Sequence, residues 1–192
     1  MKYTKSNEQS WNILSAQGYI WTQPISHEAF LEARKGACSL YLTPAKSVPK
    51  DWIPDLEDRN VLGLASGGGQ QGPIFAAQKA RTTIFDLSEK QLLTEKAVAS
   101  REGYNINLVK GDMTERFPFA SETFDVIFHP VSNCYVENIQ HIWNECYRVL
   151  KENGVLVSGF LTETGFLFGF DPSLKVVNRM PVNPLKGLSE AE

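Results

Sequence analysis

From residue 60 onward, short apolar runs alternate with longer segments whose apolar positions recur every three or four residues. Short runs of this kind are typical of buried strands, and the longer recurrence is typical of helices that bury one face. The predicted strands are residues 60–65, 82–85, 105–109, 124–128 and 155–157. The predicted helices between them are residues 71–79, 88–100 and 137–150. The alternation predicts an α/β fold in which helices cover both faces of a mostly parallel sheet.

The ends of the helices carry their own signals. The helix at 88–100 opens with Ser88-Glu89-Lys90-Gln91, which predicts a capping box: the Ser88 hydroxyl accepts from the backbone while the Gln91 side chain reaches back. Two further helices are predicted before the sheet, at 7–17 and at 26–35, and Ser26 is the N-cap of the second. We therefore predict three parts: a lead-in or lid segment at 1–58, the α/β core at 59–161, and a hairpin or flap at 162–192.

The composition of the chain indicates which partners and which cellular compartment to expect. Charged residues make up 21% of the 192 residues and the net charge is -3, without a basic run, so we expect no nucleic-acid partner. The spacing of Cys38, Cys134 and Cys146 fits no zinc or disulfide framework, so we expect no metal and reduced thiols. No apolar run approaches the roughly 20 residues that span a bilayer, and we expect a cytoplasmic protein.

A glycine-rich loop directly after the first strand is the strongest functional signal. Gly67, Gly68 and Gly69 let the backbone turn and approach a ligand closely. With Gly72 they form the dinucleotide pattern G-x-G-x-x-G, and Asp86 follows at the end of the second strand, where a carboxylate can accept hydrogen bonds from ribose hydroxyls. The loop and Asp86 alone fit either a nicotinamide or an adenosyl cofactor.

The sequence after the third strand distinguishes the two cofactors. Gly111-Asp112-Met113 is followed by Phe117-Pro118-Phe119, by a Glu-Thr-Phe-Asp-Val-Ile run at 122–127, and by Arg-Val-Leu-Lys at 148–151 with a glycine at 154. This series resembles the class I S-adenosylmethionine-dependent methyltransferases, in particular the small-molecule group with ubiquinone and menaquinone C-methyltransferases. The resemblance runs from about residue 60 to about residue 160. It implies a Rossmann-like sheet, S-adenosylmethionine as cofactor and methyl transfer to a small molecule.

The resemblance also assigns the cofactor site. It implies that the loop surrounds the methionine part and the ribose, that Asp86 binds the ribose with Leu87 beside the adenine, and that the end of the third strand holds the adenine. His129, at the end of the fourth strand, is implied to meet the cofactor and face the substrate. The implied cofactor-binding residues are Leu64, Ala65, Ser66, Gly67, Gly68, Gly69, Asp86, Leu87, Gly111, Asp112, Met113 and His129.

The chain departs from the family pattern in two places. The first motif of the family has an acidic residue where this chain has Gly63 and a glycine where it has Ala65. The fold also usually ends in a helix and an antiparallel strand pair, which this sequence lacks after about residue 160. Residues 164–170 and 175–180 predict a hairpin instead. We expect this hairpin, a second copy of the chain or a missing part of a longer chain to cover the edge of strand five.

Two residues are candidates for the chemistry. His129 is a candidate general base for an acceptor that arrives protonated, with local packing as an equal alternative. Tyr135 is a candidate for orienting the substrate, whereas Asn133 is predicted to satisfy loop backbone. Trp11 is predicted to anchor the lead-in segment.

Besides the methyltransferase, two hypotheses remain: an NAD(P)-dependent oxidoreductase and a catalytically silent cofactor-binding domain. The acceptor atom stays open among O, N and C.

Overall fold

The predicted strands pair into one five-stranded sheet in the computed structural model, which describes residues 3–37, 39–43, 46–162, 167–168, 175–177 and 179. The strands are β1 (Asn60–Leu64), β2 (Arg81–Asp86), β3 (Asn107–Lys110), β4 (Phe124–His129) and β5 (Leu150–Ser158). Every pairing is parallel and the order is β3-β2-β1-β4-β5. The prediction of a Rossmann-like α/β fold is confirmed. Strand five was predicted to begin after Gly154, but Leu150 already pairs with Phe124, ahead of a shift in register.

Five α-helices accompany the sheet in this part of the chain. They are α1 (Tyr3–Ala16), α2 (His27–Arg34), α3 (Gln71–Ala77), α4 (Glu89–Glu102) and α5 (Ile139–Val149). Short 3-10 helices occur at Ile20–Thr22, Lys50–Trp52 and Val131–Tyr135. The helix predicted at 7–17 begins four residues earlier than expected, at Tyr3. Ser26 caps α2 as predicted, with its hydroxyl accepting from the Ala29 amide at 3.2 Å.

The capping box predicted for α4 is only half correct. The Ser88 hydroxyl accepts from the Gln91 amide at 3.2 Å, as expected. The Ser88 amide, however, donates to Oδ1 of Asp86 at 2.8 Å, and the Gln91 side-chain oxygen is buried without a hydrogen-bond partner. Asp86 thus takes the part predicted for Gln91, which ties the start of α4 to the end of β2.

Helices lie on both faces of the sheet because alternate residues of the inner strands face opposite sides. On one face, Val61 of β1 and Phe128 of β4 belong to a core cluster with Phe75 of α3. On the other face, Leu62 and Ile127 belong to a second cluster, to which α5 contributes Ile142, Cys146 and Val149. Both clusters contain fully buried side chains, so the inner strands are packed on both faces.

The strand order reverses between β1 and β4, whose carboxyl ends therefore lie side by side. In open parallel sheets ligands bind in the crevice that such a reversal opens. The ends of β1, β2, β3 and β4 place Leu64, Asp86, Lys110 and His129 along one edge of the sheet. This edge carries the residues that the sequence singled out.

The structure divides the chain into two compact units, Met1–Gly159 and Phe160–Glu192. Within the second unit, Phe168 and Val176 form an antiparallel bridge, and the Val177 amide donates to the Leu167 carbonyl at 2.8 Å. These contacts agree with the hairpin predicted there, whose tip at 171–173 lies outside the described residues. β5 is an outer strand of the sheet, and what covers its edge stays a prediction.

Candidate functional site

The glycine loop after β1 adopts backbone conformations that side chains disfavour. Gly68 and Gly69 have φ of 104° and 76°. Ala65, where the family pattern has a glycine, also has a positive φ, of 49°. A non-glycine residue in this region costs about 1–2 kcal/mol. The methyl group of Ala65 therefore brings local backbone strain as well as extra volume.

Three consecutive amides of the loop donate to partners from β2 and α4. They are Gly67 to Oδ2 of Asp86 at 2.8 Å, Gly68 to the Gln91 carbonyl at 3.1 Å, and Gly69 to Oε1 of Glu95 at 2.7 Å. Buried amides without an acceptor are costly, so these bonds select one loop conformation. The shape of the loop is thus set by side chains 19 to 26 residues further along the chain.

Asp86 is half-buried at the end of β2, where the sequence placed a ribose ligand. One of its oxygens accepts from the Gly67 amide and the other from the Ser88 amide, both at 2.8 Å. Burial raises the pKa of the Asp86 carboxyl, and the backbone amides of Ser88 and Gly67 oppose that rise. A carboxylate has about four acceptor sites. Each oxygen can therefore accept a further hydrogen bond from a ligand hydroxyl.

The end of β3 is shaped by a close approach of backbone to an aromatic ring. A Cβ on Gly111 would lie 2.3 Å from Cε2 of Phe85, so only glycine fits there. Next to it, Oδ1 of Asp112 accepts from the amide and the hydroxyl of Thr114 at 2.9 and 2.7 Å. Met113 packs against the core cluster below. Leu87, Asp112 and Met113 are all half-buried beyond the strand ends, where the sequence placed the adenine.

His129 lies at the end of β4, as its strand position predicts, but it is fully buried. Its Nδ1 donates to the Leu64 carbonyl at 2.9 Å, its Nε2 is buried without a partner, and the ring meets Trp143 edge-on at 6.1 Å. Burial lowers the pKa of His129 to about 4. The imidazole is therefore neutral at pH 7 and a weak base. This geometry supports the local-packing alternative more than proton removal.

The turn after β4 lies against the loop and against α1. The Ser132 hydroxyl donates to the Ala65 carbonyl at 2.8 Å. The side-chain amide of Asn133 donates to the Gly159 carbonyl at 2.5 Å, so Asn133 satisfies loop backbone as predicted. Tyr135 is 43% exposed and meets Trp11 edge-on at 5.8 Å, which agrees with the anchoring role predicted for Trp11. Burial raises the pKa of Tyr135 to about 12, so its hydroxyl is protonated at neutral pH.

The segment between α1 and α2 packs directly on the glycine loop. The Ile25 amide donates to the Gly69 carbonyl at 2.9 Å, and the Gln70 side chain donates to the Gln23 carbonyl at 3.0 Å. Tyr19 and Trp21 are 42% and 44% exposed beside this segment. Part of the lead-in segment therefore packs against one side of the glycine loop.

The place of the family's acidic residue is filled by other side chains. A Cβ on Gly63 would lie 2.3 Å from Oγ of Ser66 and 2.5 Å from Cδ1 of Ile84. Ser66 is 3% exposed and its hydroxyl has no partner. Sequence reasoning missed a second carboxyl group that contacts the loop, that of Glu95. Its signal was an acidic residue on the buried stripe of α4.

Both described cysteine thiols lie in surroundings that keep them protonated. Burial raises the pKa of the Cys134 thiol and raises the pKa of Cys146 to about 12, so neither is a reactive thiolate at neutral pH. Cys38 lies outside the described residues. Within the described ranges, no three His, Cys, Asp or Glu side chains are grouped to hold a metal ion. No helix there is long and apolar enough to span a bilayer.

Comparison with known proteins agrees with this architecture. Residues 62–158 match a family described as a methyltransferase domain. The chain is 47% identical over 162 residues to the protein named uncharacterized methyltransferase YbaJ of Bacillus subtilis, covering 84% of this chain and 64% of YbaJ. It is 33% identical over 116 residues to the ubiquinone/menaquinone biosynthesis C-methyltransferase UbiE of Cereibacter sphaeroides, covering 58% of this chain and 46% of UbiE.

The solved structures match at the level of the fold. An S-adenosylmethionine-dependent methyltransferase from Mesorhizobium loti superposes with a TM-score of 0.56 at 19% identity, over 62% of this chain and 54% of that one. The chain belongs to the class I S-adenosylmethionine-dependent methyltransferases, which confirms the predicted family. It spans less than two thirds of the length of either curated relative.

Proposed function

We propose that this chain transfers a methyl group from S-adenosylmethionine to a small-molecule acceptor. The observation that carries the proposal is the contact between Asp86, at the end of β2, and the Gly67 amide of the loop after β1, at 2.8 Å. The contact brings the carboxyl group that we propose binds the ribose together with the glycine loop, beside the point where the strand order reverses. Membership of the methyltransferase family supports this cofactor over NAD(P).

In the proposed complex the cofactor follows the edge of the sheet from β1 to β3. Leu64, Ala65, Ser66, Gly67, Gly68 and Gly69 surround its methionine part and ribose. Asp86 accepts from the ribose hydroxyls, with Leu87 beside the adenine, and Gly111, Asp112 and Met113 form the adenine wall. The free acceptor sites of Asp86 and the half-buried Asp112 and Met113 support this placement.

Methyl transfer from a sulfonium is an in-line displacement with a good leaving group, so positioning and exclusion of water carry much of the rate. Both proposed catalytic side chains are uncharged at neutral pH, since the pKa of His129 is lowered to about 4 and that of Tyr135 is raised to about 12. Tyr135, which is 43% exposed, is proposed to orient the acceptor, whereas the fully buried His129 is proposed to act by packing against the end of β1. The acceptor then presents its nucleophile without a strong protein base.

The segment 1–58 is proposed to form the wall on the acceptor side. Its Ile25 amide bonds to Gly69, and its Trp11 ring meets Tyr135. The side chains of Tyr19 and Trp21 are exposed in this segment and offer apolar surface to an acceptor. Residues 162–192 are proposed as a flap.

Thermal-shift measurements separate the three functions that the sequence left open. A ligand that binds only the native state raises the melting temperature. S-adenosylmethionine and S-adenosylhomocysteine should each raise it, whereas NAD and NADP should not. A shift with NAD or NADP alone would favour the oxidoreductase. Binding of S-adenosylhomocysteine without methyl transfer to any acceptor tested would favour a silent domain.

The ribose assignment is tested by Asp86→Ala in calorimetry with S-adenosylhomocysteine. Loss of hydrogen bonds to a charged group should weaken binding by about 1.5–3 kcal/mol, which is about 10- to 150-fold. The matched control is Asp51→Ala, since Asp51 is exposed on the turn at Lys50–Trp52. Equal affinity of the Asp86 variant and the control would refute the assignment.

A further inference from the structure

Glu95 is an ionisable residue in a place that normally holds an apolar one. It lies on the buried stripe of α4 with Gln91, Leu92, Val98 and Ala99. Its side chain is fully buried, and Oε1 accepts from the Gly69 amide at 2.7 Å. A buried carboxyl is costly unless it makes a specific contact. The contact here is with the backbone of the glycine loop.

The second oxygen of Glu95 points to where the loop enters α3. A Cβ on Gly72 would lie 2.5 Å from Oε2 of Glu95, so the absence of a side chain at Gly72 makes room for the carboxyl group. Oε2 itself is buried and has no hydrogen-bond partner. One side chain of α4 thus contacts both ends of the segment that runs from Gly69 to the first turn of α3.

The surroundings of Glu95 disfavour a negative charge. Burial raises the pKa of Glu95 to about 8, the Gly69 amide opposes this rise, and the charge of Asp86 adds to it. Tyr104, which follows α4, has its own pKa raised, first by burial and then by the charge of Glu95. α3 carries no ionisable side chain. No cation faces the carboxyl among these groups, and its raised pKa of about 8 keeps it mostly neutral at pH 7.

The other charges near α4 are engaged elsewhere. Nδ1 of His27, from α2, lies 2.7 Å from Glu102, and Glu8, from α1, pairs with Lys110 at 2.7 Å. Arg101 donates to the Ile25 carbonyl at 2.8 Å and also pairs with Glu102. No charge from α1 or α2 thus offsets that of an ionised Glu95.

We propose that Glu95 is the positioning residue of the glycine loop: as a neutral carboxylic acid it holds the Gly69 amide in the geometry that binds the cofactor, and its ionisation releases the loop. The proposal rests on the proposed function for the identity of the ligand. An ionised carboxylate at this depth must be reached by water. Water can enter only if the loop moves away from α4, which alters the cofactor site.

The proposal fixes the sign of a pH effect on stability. In the unfolded chain Glu95 returns to the ordinary value of 4.5, whereas in the fold its pKa is about 8. Its contribution is therefore most favourable below pH 4.5, falls as the pH rises towards 8, and is constant above it. Over this window the folding constant decreases about tenfold per pH unit through this group alone.

The experiment compares the full chain with Glu95→Gln, Glu95→Leu and the control Glu89→Gln. Gln keeps an acceptor for Gly69 and cannot ionise, whereas Leu removes the acceptor. Glu89 lies in the first turn of the same helix with its side chain 68% exposed. Melting temperatures are recorded without ligand across the pH range, and S-adenosylhomocysteine affinities are measured by calorimetry at each pH.

We expect the melting temperature of Glu95→Gln to exceed that of the unaltered protein by a margin that grows with pH up to about 8. S-adenosylhomocysteine should bind the unaltered protein about tenfold more weakly per pH unit above this value, and Glu95→Gln with constant affinity. At neutral pH, Glu95→Leu should bind about tenfold more weakly or worse, because the Gly69 amide loses its acceptor.

Two results would overturn the proposal separately. A margin that does not change with pH would show that Glu95 is not neutral in the fold. Equal affinity of Glu95→Leu and the control would show that the loop does not depend on it. If the unaltered protein binds no S-adenosylhomocysteine, the proposed function fails together with the ligand part of the proposal. The melting profiles still decide whether Glu95 is buried as the neutral acid.

Discussion

Glu145 of α5 holds the segment that follows the proposed adenine wall. Its Oε2 accepts from the Phe117 amide at 2.7 Å, and its two oxygens pair with Arg148 at 2.9 and 2.6 Å. Arg148 in turn donates to the carbonyls of Phe117 and Phe119 at 3.1 and 2.8 Å. Replacing Glu145 by Gln keeps its shape and removes its charge. The substitution therefore tests how much this ion pair stabilises the fold.

The size of the effect follows from the pKa of Glu145. Arg148, opposed by burial and assisted by the Phe117 amide, lowers it from 4.5 to about 2. Each unit corresponds to about 1.4 kcal/mol, which gives an upper figure of about 3 kcal/mol at neutral pH. The Arg148 side chain is 21% exposed, so solvent screening reduces the value to about 2–3 kcal/mol.

Urea unfolding at several pH values measures this contribution. At pH 7, Glu145→Gln should lower the free energy of unfolding by about 2–3 kcal/mol, or the melting temperature by about 5–10 °C for a chain of this size. Because the pKa is lowered in the fold, the difference should be full above pH 4.5 and shrink as the pH falls towards 2. The control is Glu152→Gln, because the Glu152 side chain is exposed. A difference that persists unchanged at low pH would refute the electrostatic explanation.

Two further predictions concern the strand ends. Gly111→Ala places a Cβ 2.3 Å from the buried Phe85 ring and should cost about 1–3 kcal/mol in urea unfolding; a loss within the error of the method would contradict the close approach. His129 has its pKa lowered by burial from 6.5 to about 4, so this group alone should remove about 3 kcal/mol of stability as the pH falls between these values. The free energy of unfolding of the unaltered protein relative to that of His129→Asn should fall by this amount over the same window, and a difference that stays constant with pH would contradict the prediction.

The strands and helices were predictable because their signals are local. Apolar runs and recurrence every three or four residues lie within ten to fifteen residues of sequence, and they gave the elements of the α/β core. The N-cap at Ser26 was likewise predicted from local sequence, and it is confirmed. The start of α1 was missed because residues 3–6 are mostly polar and carry no apolar recurrence. There the Tyr3 hydroxyl accepts from the distant Glu137 amide at 3.4 Å.

The interior of the site was less predictable because its contacts join distant residues. Gly69 and Glu95 lie 26 residues apart, and Gln91 was assigned to a capping box although Asp86 takes that part. The family pattern placed Asp86 at the edge of the sheet. It could not show that the space beside Gly63 is filled by Ser66, since that depends on how the loop folds back over β1.

The unfavourable features of the structure are concentrated around the glycine loop. Five buried side-chain polar atoms lack a partner in the described part of the chain, and four belong to Ser66, Gln91, Glu95 and His129. Ser66 is in the loop, and the other three contact the backbone of the loop or of Leu64 directly before it. Unpaired buried polar groups destabilise a fold, and natural sequences retain them mainly at functional sites. Because a well-packed core of this size has no need of them, their grouping at one edge is an independent argument that this edge is where the protein acts.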